Sequence, residues 1–279
     1  MGAQGDNIAA AVAALAARAK AIRRNVIRQA RPLGQGYVGQ GLQSAELFAT
    51  LYFSELRGLD LPVGDPGRDR LLLSVGHYAI GLYATLVELG HLPGEALETY
   101  AAEGSALTMG TEPGEIDSVE FAGGSLGQGL GVAAGTAMGL AYRKAGARVF
   151  NYMSDGEVQE GSTWEAAMFA GHRRLGNLVN IIDVNRTQAD GPLVIEIEPL
   201  AEKFRSFGWW AMDVNGNDLA GLVTAFAAAA AVADQPKCLI CHTRLGYGSP
   251  TVMNQTAAHF VRVEAEQWDV IAQEVERNP

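Results

Sequence analysis

At 279 residues, with 48% hydrophobic residues and a formal net charge of −10, the chain can bury a sizeable core and has the wrong charge for a nucleic-acid binder. Lys and Arg dominate no long segment, and no apolar run is long enough to span a bilayer. The opening Met1-Gly2-Ala3-Gln4-Gly5-Asp6-Asn7 lacks the charged start and apolar block of a signal peptide, so a cytoplasmic protein is expected.

The first element is an Ala-rich helix from Ile8 to Arg31, with Ile22, Val26 and Ile27 at helical spacing. A glycine-dense turn, Gly34 to Gly41, leads into a second helix from Ser44 to Tyr52, with Ser44 as its N-cap. Arg70 to Ser74 reads as a short strand, and Gly76 to Tyr83 begins another helix. From there strand and helix patterns alternate: a helix from Leu130 to Lys144 after the glycine-rich Gly123 to Gly129, a strand from Arg148 to Met153, a helix from Ser162 to Gly171, and a strand from Leu178 to Asp183. Trp209 to Val214 and Lys237 to Thr243 read as further strands around an Ala-rich helix, Asp218 to Ala233, and Val263 to Val275 as a closing surface helix. The alternation predicts an α/β fold, a mostly parallel sheet with helices on both faces. No repeat or linker divides the chain, so residues 1–279 are expected to form a single domain with an N-terminal helical segment. Cys238 and Cys241, the only two cysteines, stand three apart in a strand and so point to opposite faces; buried thiols are expected rather than a redox or metal pair.

The chemistry concentrates in Ser154-Asp155-Gly156-Glu157-Val158-Gln159-Glu160-Gly161, answered by the segment from Asp183 to Gly191. Asp155 stands where a parallel strand hands over to a helix, the usual ligand crevice of an open α/β sheet, and the neighbouring strand delivers Asn185 to the same edge. A carboxylate, an amide oxygen and a loop carbonyl suit Mg²⁺ or Ca²⁺ and leave room for phosphate oxygens. Gly156 permits close backbone approach, and the helix N-terminus that follows favours negative charge. Read alone, these residues predict a divalent-metal site for a diphosphate; the plainer alternative is a pair of turn or cap residues.

Taken with Gly76-His77, the run Gly124-Ser125-Leu126-Gly127-Gln128-Gly129, the acids Glu160 and Glu165, Asp190-Gly191 and Gly246-Tyr247-Gly248-Ser249, the same residues resemble the N-terminal, thiamine-diphosphate-binding part of the transketolase family. The likeness runs nearly end to end, with Ser154 in place of the first glycine of the family's GDG motif. It implies a thiamine diphosphate-binding fold and a metal, Mg²⁺ or Ca²⁺, held by Asp155, Asn185 and the backbone carbonyl of Thr187. It further implies cofactor contacts from His77, Gly124, Ser125, Leu126, Gly156, Glu157 and His259, and places Glu160 and Glu165 at a subunit interface that couples paired active sites. The resemblance also implies catalytic roles at the substrate end for His77, His259, Tyr37 and Thr111. Two of these depart from the family: Gly36-Tyr37-Val38-Gly39 stands where Gly-His-Pro-Gly or Gly-His-Ile-Gly is usual, and Thr111 aligns with a second family histidine. Tyr and Thr donate hydrogen bonds but are not cations near neutral pH, so an altered donor or acceptor is expected.

The resemblance implies transfer of a two-carbon ketol unit from a ketose or hydroxypyruvate-like donor to an aldehyde acceptor. In the family the glutamate that activates the cofactor lies on a pyrimidine-binding domain, and nothing after Gly248 has length for that domain or the C-terminal one. The expectation is one subunit of a split enzyme, completed by a second chain carrying both domains, with two copies of each. Alternatives are an acyloin synthase or a 2-oxo acid decarboxylase or dehydrogenase subunit, or a non-catalytic regulatory paralogue. The intact Asp155, Gly156, Asn185 and His77 weigh against the last.

Overall fold

Five parallel strands, β1 (Arg70–Leu73), β2 (Val149–Ser154), β3 (Leu178–Val184), β4 (Trp210–Asn215) and β5 (Lys237–His242), form the central sheet in the order β1-β2-β3-β5-β4. The helices are α1 (Gly2–Ala30), α2 (Val38–Gln43), α3 (Ala45–Thr50), α4 (Ala79–Leu89), α5 (Gly129–Tyr142), α6 (Gly161–His172), α7 (Leu200–Ser206), α8 (Leu219–Ala230), α9 (Pro250–Met253) and α10 (Gln267–Arg277). The structure, a computed structural model, describes residues 2–189, 191–255 and 259–278. Asp190 of the expected Asp190-Gly191 pair and Ala257-Ala258 beside His259 lie outside the described residues, as do Met1 and Pro279 at the ends of the expected domain.

Every residue of β2 and β3 is buried, which is why both read as unbroken apolar runs rather than alternating ones. One face, with Phe150, Tyr152, Ile181 and Leu239, packs against α1, α3, α4 and α8; the other, with Met153, Ile182 and Ile240, packs against α5, α6 and α7. The α/β layering expected from the sequence is therefore the observed one. Cys241 belongs to the first core and Cys238 to the second, and burial pushes both thiols well up, so neither is a reactive thiolate. Among the described residues no helix is long and apolar enough to cross a membrane.

The segment from Gly34 to Tyr52 departs from expectation. Helix α2 begins at Val38, inside the expected turn, and Ser44 is no N-cap: its backbone is helical and its Oγ donates back to the Gln40 carbonyl at 2.7 Å. The reason is packing. A Cβ on Gly41 would lie 2.8 Å from Val26 Cγ1, so this glycine serves close approach of α2 to α1 rather than a turn. Buried Arg23 of α1 locks the arrangement, donating to the Leu42 carbonyl at 3.1 Å and to Glu46 Oε1 at 2.5 Å.

Candidate active site

Strand β2 ends at Ser154, opposite Asp183 of β3, and the Asp155 N–H donates to the Asp183 carbonyl at 2.9 Å. The sheet register thus brings Asp155 and Asn185 out at the same carboxyl edge. Asp155 is 2% exposed, and its Oδ2 accepts from the Arg186 N–H at 2.6 Å. The Asn185 amide nitrogen donates to Gln43 Oε1 at 3.3 Å and to the Tyr78 hydroxyl at 3.2 Å, which leaves its oxygen for the Thr187 N–H, at 2.8 Å, and for a ligand. Arg186, between the two, is held at φ 58°, a left-handed conformation that costs a non-glycine residue about 1–2 kcal/mol. Strain of this kind persists where surrounding bonds over-determine the backbone.

Burial pushes the Asp155 carboxyl up to about 7; the Arg186 N–H opposes the rise and the Asp183 charge adds to it. A carboxylate in that position gains from a cation. Among the described residues no three His, Cys, Asp or Glu side chains gather as a metal cluster. The available donors are a carboxylate, an amide oxygen and backbone carbonyls, a set that fits a hard cation completing its shell with oxygens of a bound ligand. Asp155, Gly156, Asn185 and Thr187 line one pocket of about 340 Å³ with His77, Tyr78, Gly124, Leu126, Gln188 and His259.

The glycine-rich loop is pressed onto β1. A Cβ on Gly123 would lie 2.3 Å from the Leu73 carbonyl oxygen, and one on Gly76 would lie 2.4 Å from the Gly123 oxygen, both backbone atoms that cannot step aside. Gly76→Ala is expected to destabilise the chain by about 1–3 kcal/mol and to weaken cofactor binding with it, checked by thermal unfolding and calorimetry.

Glu157, expected among the cofactor contacts, does not reach the pocket wall. The short helical turn Gly156–Gln159 winds its carboxylate back beneath the loop, where it accepts from Ser74 Oγ, from the Gly127 N–H at 3.2 Å and from the Ser154 N–H at 3.0 Å. It pins the loop to the sheet. Ser125 is exposed on the loop and is not part of the pocket lining, whereas its neighbours Gly124 and Leu126 are.

At the other end of the pocket four rings from three segments meet. Tyr37 lies with its ring centre 5.1 Å from His77, 5.7 Å from His259 and 5.1 Å from Phe260, and the two imidazoles are 5.0 Å apart. Gln40 Nε2 donates to the His259 carbonyl at 2.7 Å and fixes that segment over α2. Burial, then His259, pushes the His77 ring down to about 3, so it is neutral at physiological pH. Thr111, expected at the substrate end, is instead buried beneath the loop, where its Oγ1 accepts from the Gly123 N–H at 3.0 Å. A hydroxyl spent on loop geometry is a support rather than a substrate contact. Glu160 and Glu165 are exposed at the start of α6.

Sequence reading passed over the network around Asp183 that holds this site together. Asp183 is fully buried and accepts from Gln43 Nε2 at 3.1 Å, from the Tyr152 hydroxyl at 2.9 Å and from Thr243 Oγ1, and burial pushes its carboxyl up to about 6. Gln43 also donates to the Tyr78 hydroxyl at 2.7 Å, so α2, β3 and the turn before α4 converge on Asn185. The one local signal was a lone carboxylate at the end of an otherwise uncharged strand, two residues before Asn185.

The domain family described as "Transketolase, thiamine diphosphate binding domain" matches residues 15–279. A transketolase family protein of Sinorhizobium fredii is 46% identical over 90% of this chain and 91% of its own length. The 6-deoxy-6-sulfo-D-fructose transketolase subunit SqwG of Clostridium sp. is 34% identical over 93% of this chain and 95% of its own. Transketolase from Leishmania mexicana superposes with a TM-score of 0.84 at 27% identity, covering 95% of this chain, which spans only 42% of that longer one. The chain belongs to the transketolase family, of which it carries the thiamine diphosphate-binding domain.

Proposed function

We propose that this chain is one subunit of a thiamine diphosphate-dependent enzyme that moves a two-carbon ketol unit from a ketose or hydroxypyruvate-like donor to an aldehyde, and that a partner chain completes it. The observation that carries this reading is the convergence of buried Asp155 with Asn185 and Gly156 at the carboxyl edge, beneath a glycine loop and facing His77 and His259. Bound there, thiamine diphosphate would supply the carbanion equivalent and electron sink for breaking and forming the carbon–carbon bond. Asp155, Asn185 and the Thr187 carbonyl would hold Mg²⁺ or Ca²⁺ against the diphosphate, with Gly156 admitting it close to the backbone. Gly124 and Leu126 would shape the ring pocket and exclude water. His77 and His259, neutral in the resting chain for the former, would accept or donate single protons at the substrate oxygens.

Support for a partner comes from SqwG, whose name calls it a subunit and which this chain matches over nearly its whole length. A two-fold assembly of two copies of each chain would use the exposed face beside Glu160 and Glu165. Among the described residues no Lys or Arg lines this pocket. A charged group on the substrate would then meet its counter-ion on the partner. Tyr37 fills the place of a family histidine and is proposed to set donor choice. Tyr37→His should change the ratio of kcat/KM between a phosphorylated and an unphosphorylated ketose by about tenfold, with stability nearly unchanged; an unaltered ratio would remove Tyr37 from the specificity argument.

A further inference from the structure

We propose that the amino edge of the sheet, opposite Asp155, carries a second small-molecule site, built for a monoanionic carboxylate with a short apolar body. A cavity of about 270 Å³ opens there between the starts of β2, β3 and β5 and the C-terminal end of α8. Its charged lining is Glu55, Arg57, Arg148 and Lys237, a formal excess of two positive charges. Glu55 pairs with Arg148 at 3.4 Å, and Asp69 behind the lining pairs with both Arg57 and Arg148, at 3.1 and 2.8 Å. One cation is left over, and it is Lys237.

Lys237 is the first residue of β5 and is 6% exposed. Its Nζ donates to the Gly176 carbonyl, and among the described residues no carboxylate forms an ion pair with it. Asp234, whose charge favours the ammonium, is exposed and already paired with Arg174. An ammonium has three donors, so two N–H groups remain beside the cavity. Burial, and then the Arg148 charge, lowers the pKa of this amine; an anion in the cavity would relieve both costs.

The rest of the cavity decides the kind of anion. Phe150, Val179 and Phe226 wall it, with Ala230 at the exposed rim. These surfaces reward an apolar body, which inorganic phosphate lacks. A dianion would also leave one charge unmatched in a largely apolar space, a costly outcome, whereas a carboxylate matches the single surplus cation.

The test is direct binding to the intact chain, with thiamine diphosphate and Mg²⁺ present so that the pocket at Asp155 is not a competing site. Hexanoate should raise Tm in a saturable manner and titrate to a single site by calorimetry, and inorganic phosphate should do neither. Lys237→Met, similar in length and uncharged, should fold and lose about tenfold or more in hexanoate affinity. Ala230→Phe, which closes the rim from the exposed side without altering charge, should block hexanoate equally and keeps the test open if Lys237→Met folds poorly. Absence of saturable hexanoate binding, equal binding by both variants and wild type, or phosphate binding as well as hexanoate would each overturn the proposal. None of these readouts depends on ketol transfer.

Discussion

Asp155→Asn is expected to weaken metal-dependent thiamine diphosphate binding by about a hundredfold or more, beyond what loss of an outer-shell residue costs, while making the cofactor-free chain more stable. Both effects come from one carboxylate. In the folded chain Asp155 titrates near 7, against an ordinary value of 3.8, because it is buried close to Asp183. Between those values the folded chain holds a proton that the unfolded chain has released, so stability falls as pH rises through the window. Above it the cost is complete, and a neutral Asn carries no buried charge. The variant should therefore unfold at higher temperature than wild type at about pH 8, with the gain shrinking toward pH 4. His77 contributes with the opposite sign: its folded value near 3 lies below the ordinary 6.5, so its share of stability is lost as pH falls through that range. It is common to both proteins and cancels in the comparison. Calorimetry for binding and thermal unfolding across pH for stability check the two halves. Unchanged cofactor binding would remove Asp155 from the metal site.

Tyr142→Glu is expected to break the assembly and, with it, nearly all activity of the reconstituted enzyme. Tyr142 is 90% exposed at the end of α5, and Val132 and Met138 of α5 and Met168 and Phe169 of α6 are exposed as well. Helices α5 and α6 pack on each other, and Glu165 shares α6 with Met168 and Phe169. An apolar surface of this kind marks an interaction site, and a charge placed within it would have to be desolvated on assembly. Sedimentation of the chain with the proposed partner should show the variant as a smaller species at unchanged monomer stability. Wild-type assembly by the variant would relocate the interface.

The parts of this molecule that sequence made legible are those in which local pattern and tertiary demand agree. Strands β2 and β3 are covered on both faces and so appear as contiguous apolar runs, and their ends mark Asp155 and Asn185 directly. The glycine loop was legible as a loop, since Gly123 and Gly76 leave no room for a side chain. What stayed hidden was set at long range. Gln43 reaches Asp183 across 140 residues of sequence, and nothing around Gln43 hints at that partner. Ser44 carries a plausible capping side chain, yet the fit of Gly41 against Val26 winds its backbone into helix. The family resemblance places Glu157 at the cofactor and Thr111 at the substrate end, but their side chains support the loop that shapes the site.

The most direct measurement is ketol transfer from hydroxypyruvate to an aldehyde by the chain alone, by the chain with the proposed pyrimidine-domain partner, and by that partner with the Asp155→Asn chain, with pyruvate as the comparison donor. Activity with hydroxypyruvate only in the wild-type pair, lost in the variant pair and absent with pyruvate, is the predicted result. Robust transfer by the lone chain, or a pair that binds thiamine diphosphate yet turns over only pyruvate, would contradict it.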